Sequence, residues 1–269
     1  MSSLKDANRI VVKVGTSTLT HRTGHINIRL MEALVKVLAD IHNYGKELVL
    51  VTSGAIGVGV GKLGLRERPG DIPGKQAAAA VGQCELMYLY DRYFSEYNHT
   101  VAQVLLTKYT FDDPEGRENA RNTFRKLLEL GAIPVVNEND TVATDEIKFG
   151  DNDSLSAVVA GMIEADCLVI LTDIDGLYSA NPQTDAGAVL VPEVEEITQA
   201  VLDSAGGAGS ALGTGGMLTK LQAARIATGA GVDMYIINGK APERLYDLLE
   251  GKAVGTHFAA RPAPGGRRI

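Results

Sequence analysis

Apolar positions along this chain alternate between two arrangements: short unbroken runs, and longer stretches in which they return every three or four residues. Ile10–Val14 is such a run and ends at Gly15. Leu30, Ala33, Leu34, Val37, Leu38 and Ile41 then follow helical spacing, and Gly45 stops them. The alternation continues as strand Glu47–Val51, helix Gln76–Tyr97, strand Val101–Leu106, helix Ala120–Leu130 before Gly131, and strand Ile133–Val136. Helix Ser154–Ile163, strand Leu168–Leu171, helix Met217–Ala230 before Gly231, strand Met234–Ile237 and helix Pro242–Glu250 complete it. Short apolar strands separated by helices are buried on both faces and joined by crossovers. The pattern therefore predicts an α/β fold, a parallel central sheet with helices on both faces. No proline- or serine-rich linker interrupts it before residue 260. The expectation is one α/β domain, with two lobes meeting near residue 170, and a disordered proline- and glycine-rich tail.

Charge narrows the partners. A net charge of −7 argues against nucleic acid, whose binding draws on lysine and arginine, and favours a small-molecule substrate. No apolar stretch is long enough to span a membrane, and MSSLKDANRI has no apolar core of a secretory signal, so the chain is expected in the cytoplasm. Cys84 and Cys167 lie far apart in apolar surroundings and are expected to be buried, inert thiols. Histidines 21, 25, 42, 99 and 257 show no metal-ligand spacing.

Ligands of open parallel sheets bind beyond the carboxyl ends of the strands. The loops at those ends read GTS, TSGAIG, NEND and TDIDG, all small or polar. GVGKLG at Gly59–Gly64 has dinucleotide-loop spacing, but it begins eight residues after Val51, and alanines stand where the acidic partner belongs. GTGGMLTKLQAA, Gly213–Ala224, is the stronger phosphate candidate, because its glycines open a helix whose first amides point into the loop. Lys220 there opposes the helix dipole unless an anion lies between it and the amides; a merely flexible loop is the alternative. Lys13 sits inside the apolar run VVKVG. Either it snorkels from an edge strand or a phosphate neutralises it at the strand end. Ser53 is expected to cap the helix after TSG, turning the amides of Gly54 and Ala55 toward the crevice. Asn137, Glu138, Asn139 and Asp140 crowd one strand end, and Asp151, Asn152 and Asp153 repeat the theme; either cluster alone also suits a solvated turn.

VVKVGTS, VTSGAIG, NENDTVAT, KFGDNDSLSA, LTDIDGLY and GTGGMLTKLQAA occur in the order and spacing of a known family. The chain resembles the glutamate 5-kinases of the amino-acid-kinase superfamily from about residue 9 to residue 258. Acetylglutamate kinases and aspartokinases typically carry two glycines after the first lysine, whereas Lys13 is followed by Val14, Gly15 and Thr16. The resemblance implies a three-layer αβα sandwich around a mostly parallel sheet of about eight strands, occupying residues 1–258, with 259–269 as the tail. The part up to about residue 170 would bind glutamate and the remainder ATP with magnesium. Lys13 and Lys220 are implied as catalytic lysines and Asp153 as the acid that orients them. Ser53, Gly54, Ala55, Asp140 and Asn152 would hold glutamate. Lys13, Thr172, Asp173, Thr214, Gly215, Gly216, Met217, Leu218, Thr219 and Lys220 would hold ATP. It further implies a homo-oligomer, a γ-glutamyl phosphate reductase as partner in proline synthesis, and feedback by proline. Many members carry a C-terminal PUA domain, for which this sequence has no room.

The expected reaction is phosphorylation of the glutamate γ-carboxylate. That group ionises near ~4.3, so it needs no general base, and catalysis rests on positioning and cations. Related kinases acting on acetylglutamate, aspartate, carbamate or UMP, and a non-catalytic binding module of the same fold, are the competing readings.

Overall fold

The structure, a computed structural model, describes residues 4–21, 23–142, 152–182, 184–199, 201–202 and 216–260. Among the described residues it has eight strands: β1 (Arg9–Val14), β2 (Glu47–Val51), β3 (Val101–Leu106), β4 (Ile133–Glu138), β5 (Cys167–Thr172), β6 (Glu193–Val194), β7 (Asp233–Asn238) and β8 (Thr256–Phe258). Its described α-helices are α1 (Thr16–Leu19), α2 (Ile28–Asn43), α3 (Ala55–Lys62), α4 (Ile72–Ser95), α5 (Lys108–Asp112), α6 (Pro114–Glu129), α7 (Asn152–Met162), α8 (Met217–Gly229) and α9 (Arg244–Leu249). The mostly parallel eight-stranded sheet is the α/β architecture that the apolar pattern predicts.

Two helices begin a full turn or more before their apolar spacing suggests, and capping explains both. Asp71 accepts from the Gly74 amide, 3.1 Å away, so α4 starts at Ile72 with a proline in its first turn. Asp113 likewise accepts from Gly116 at 2.7 Å and starts α6 at Pro114, in a stretch too polar to show a period. β6 and β8, of two and three residues, are too short for periodicity to reveal.

The chain forms two compact units, Val14–Asn152 and Met1–Lys13 with Asp153–Ile269. The lobe boundary expected near residue 170 falls inside β5, which pairs with β7 from Cys167–Asp233 to Thr172–Asn238.

In the unit Val14–Asn152 the strand order is β3-β4-β2, all parallel. Helices α3 and α4 pack there backbone to backbone. A Cβ on Gly82 would lie 1.8 Å from the Ala55 carbonyl oxygen, and one on Gly59 1.8 Å from that of Ala78. Because both obstacles are backbone, Gly82→Ala is expected to destabilise by about 3 kcal/mol or more through overpacking. A urea unfolding midpoint within error of wild type would refute this reading of the crossing.

In the other unit the order is β1-β5-β7-β8-β6. β5 and β7 are parallel, β7 and β8 antiparallel, and β6 and β8 parallel. The amide of Ala260 donates to Asp233 Oδ1 at 2.8 Å, and that of Ala259 to the Val194 carbonyl at 3.3 Å. These two residues of the expected disordered tail are therefore tied to the sheet; 261–269 lie outside the described residues. Cys167 is buried, but Cys84 is exposed on α4, contrary to the expectation of two buried thiols. The apolar neighbours of Cys84 in sequence lie on the opposite side of its helix turn. Among the described residues no helix is long and apolar enough to cross a membrane.

Candidate active site

The first set of site residues lies in the unit that joins residues 1–13 to 153–269. Asp153 occupies the first turn of α7 and is fully buried. A carboxylate is favoured at a helix N-terminus, but burying one requires partners. The Lys13 ammonium, from β1, stands 2.6 Å from Oδ1, and the Lys220 ammonium, from α8, stands 3.2 Å from Oδ2. The Thr219 hydroxyl lies 3.0 Å from Oδ2 and 2.7 Å from the Gly216 carbonyl. Burial by itself would push the Asp153 carboxyl up; the two ammoniums together overcome that and hold it below the usual carboxylate range. Lys13 and Lys220 are themselves only 7% and 6% exposed, so Asp153 is the counter-charge that makes their burial tolerable. Asp153 thus has two cations gathered on one carboxylate.

The Lys220 anomaly thus has an internal answer. The anion next to it is Asp153, where the sequence argument placed a phosphate. The N-cap of α8, Gly216, is extended (φ −71°, ψ −179°) and, being glycine, makes no side-chain cap bond. First-turn amides and the dipole there suit phosphate oxygens. Leu218 is exposed and Met217 half-buried on this turn. Thr172 ends β5, and its hydroxyl donates to Asp173 Oδ1 at 3.2 Å, while its carbonyl accepts from the Gly239 amide at 2.7 Å. Thr214, Gly215 and Asp151 lie outside the described residues.

The second set lies in the unit Val14–Asn152. The Asn152 amide nitrogen donates toward the Thr52 carbonyl (2.6 Å), the Ser53 hydroxyl (3.1 Å) and Asn137 Oδ1 (2.8 Å). Ser53 does not cap α3, contrary to expectation. The N-cap is Gly54, without a side-chain cap bond, and the Ser53 hydroxyl is taken by Asn152. Gly54 has φ +95°, a left-handed backbone that glycine adopts freely, and a Cβ there would stand 3.1 Å from Thr16 Cγ2. Ala55 is the first, buried residue of α3. Asp140 sits half-buried in the turn after β4, where Thr141 donates to Asn139. Behind this layer the Thr52 and Tyr90 hydroxyls are 2.8 Å apart; burial pushes the Tyr90 phenol far above its usual range, so it stays neutral.

Sequence reasoning missed Gln83, whose Oε1 accepts from Asn137 Nδ2 at 2.8 Å, and gave Asn137 no role. A signal existed: Gln83 is a polar residue on the buried stripe of α4 formed by Ala79, Gly82, Leu86 and Tyr90. Among the described residues no group of three His, Cys, Asp or Glu side chains stands ready to hold a metal ion.

The sequence model of the amino acid kinase family matches residues 8–238. The chain belongs to the amino acid kinase family. It is 54% identical over 263 residues to the glutamate 5-kinase of Clostridium perfringens, an alignment covering 96% of this chain and 98% of that one. Identity with the glutamate 5-kinase of Listeria innocua is 53% over 263 residues, covering 96% and 95%. Among solved structures, a UMP kinase from Bacillus anthracis aligns with a TM-score of 0.64 at 16% identity, over 94% of this chain and 96% of that one. At that identity the likeness concerns the fold. The matched region of the family includes Lys13, Ser53, Asn152, Asp153 and Lys220.

Proposed function

We propose that this protein transfers the γ-phosphoryl group of ATP to the γ-carboxylate of L-glutamate, giving L-glutamyl 5-phosphate and ADP. The observation that carries phosphoryl transfer is the buried clasp in which Asp153 holds Lys13 and Lys220 at 2.6 and 3.2 Å. Glutamate as acceptor is supported by the 54% identity with a glutamate 5-kinase over 96% of the chain.

Ser53, Gly54, Ala55, Asp140 and Asn152 are assigned to glutamate. Thr172, Asp173 and the Thr214–Lys220 segment, with Lys13, are assigned to ATP. The nucleophile is already a carboxylate at neutral pH, so no side chain needs to accept a proton. A carboxylate oxygen forms the new bond to phosphorus as the bond to the β,γ-bridging oxygen breaks, and ADP leaves with that electron pair. Both reactants are anionic, so the cost lies in charge repulsion. Lys13 and Lys220 offset it from fixed positions, and Asp153 keeps both ammoniums aimed without cancelling their charge. The uncapped amides of α8 receive phosphate oxygens. Magnesium arrives on ATP as part of the substrate; the Asp153 oxygens are engaged by Lys13, Lys220 and Thr219. The product, an acyl phosphate, hydrolyses readily, which gives a γ-glutamyl phosphate reductase its place as the next enzyme. A homo-oligomer belongs to the same assignment.

Hydroxylamine converts an acyl phosphate into a hydroxamate. Incubation with ATP, magnesium and hydroxylamine is expected to yield hydroxamate with L-glutamate and at most a few per cent of that rate with acetylglutamate or aspartate. Phosphorylation of UMP or carbamate, followed as ADP release, should stay at background. A faster rate with any other acceptor would overturn the assignment of glutamate.

A further inference from the structure

We propose that Gln83 is a positioning residue for the acceptor, acting through Asn137 on Asn152; this rests on the reading of Asn152 as an acceptor ligand. The argument begins with two backbone groups that cannot flip. The Glu138 amide donates to Asn137 Oδ1 at 3.0 Å. The Thr52 carbonyl accepts from Asn152 Nδ2 at 2.6 Å. A reversed Asn137 would set its NH2 against the Glu138 N–H, and a reversed Asn152 would set its oxygen against the Thr52 oxygen. Both side chains therefore have one permitted orientation.

Asn137 Nδ2 must then point away from Glu138, into the interior of its unit, where it needs an acceptor. Gln83 Oε1 supplies it at 2.8 Å, reaching from the middle of α4. Asn137 is 1% exposed and Gln83 7%, so neither amide has water to fall back on. The chain of donors runs one way only: Asn137 to Gln83, and Asn152 to Asn137 and Thr52. Its outcome is that the Asn152 oxygen is turned away from its three acceptors and presented as an acceptor. That is the polarity required to receive the ammonium of an amino-acid substrate.

Only the oxygen of Gln83 is used; its amide nitrogen gains nothing from being there. Among the described residues its Nε2 is buried without a hydrogen-bond partner, an arrangement that destabilises the fold. An apolar side chain would remove that unsatisfied donor. It would also strand the Asn137 NH2. The one service that glutamine performs here is to accept from Asn137. Gly82, adjacent to it, makes the position possible, because the backbone contact of α4 with Ala55 brings this helix turn close behind the TSGA segment.

The test uses the full chain with two variants. Gln83→Met removes the acceptor and exchanges one unsatisfied donor for another, so thermal stability should change by no more than a few degrees. Its KM for glutamate should rise about tenfold, the scale of one lost hydrogen bond to a positioning group, while the KM for ATP stays within twofold. Gln83→Glu keeps an oxygen facing Asn137 and should restore the glutamate KM to within threefold of wild type. Equal rises in both variants, or an unchanged KM in Gln83→Met, would overturn the proposal. A fall in melting temperature and kcat together, with no selective change in KM, would reduce Gln83 to a packing residue. The assignment of glutamate is judged separately, by wild-type hydroxamate formation. If that fails, the Asn137 side-chain amide resonances still decide: they should move upfield in Gln83→Met and not in Gln83→Glu, and identical spectra would refute the relay.

Discussion

Lys220→Ala is expected to lower kcat by about 100-fold or more, and Lys13→Ala by a similar factor. Each lysine is one of two cations gathered on a single carboxylate. Removing either takes away one of the two cations that would face the transferring phosphoryl group. The effect should fall on turnover, because charge on the phosphoryl group and leaving oxygen grows toward the transition state. Stability should suffer less. In Lys220→Ala the Asp153 carboxylate keeps its 2.6 Å partner Lys13, and in Lys13→Ala it keeps Lys220 and Thr219. ADP release at saturating glutamate and ATP, with circular dichroism to establish folding, is the measurement. Near-normal turnover in both variants would sink the two-lysine mechanism.

Asp153→Asn should produce a large loss of stability, about 3 kcal/mol or more, because it strands two buried ammoniums at once. Both lysines are under a tenth exposed, so neither can regain full hydration without moving. Turnover should collapse as well, since the lysines lose the group that aims them. The pH dependence follows from the direction of the Asp153 shift. Its carboxyl is held below the usual range in the folded protein. The stabilisation is therefore complete above the unfolded value near ~3.9 and is lost only as pH falls through the lower folded value. The difference in denaturation midpoint between wild type and Asp153→Asn should be constant from about pH 8 to pH 5 and shrink below about pH 4. A difference that closed near pH 6 would mean that Asp153 is not the ionised partner of the lysines.

Much of the fold was legible because burial imposes a local period. All the longer strands, such as Val101–Leu106 and Cys167–Thr172, lie where apolar runs stood. Helix starts at Asp71 and Asp113 were readable only as caps, since the first turns are too polar to show an apolar face. The three-residue β8 was unreadable; it exists because Met234–Ile236 offers an antiparallel edge, a property of the sheet and not of the segment THF. The site divides the same way. Lys13 and Lys220 were conspicuous as cations in apolar or dipole-opposed positions. Ser53 was placed correctly at the end of β2 but given the wrong bond, because a hydroxyl that could cap its own helix instead meets Asn152.

The sequence by itself determined the order of the longer strands and helices, the polar strand ends where chemistry would lie, and the two lysines whose positions pointed to an anion. These are local matters, settled by the side chains within a few residues. Family resemblance already implied Asp153 as the acid that orients the lysines; tertiary structure alone showed how, with one fully buried carboxylate contacting both ammoniums, and that Gln83 backs Asn137 and Asn152. Each of these joins residues distant in sequence, and the selection rests on two constraints that no local pattern encodes. A buried charge must find its counter-charge in space, and a buried amide must match donors to acceptors that the backbone has already oriented.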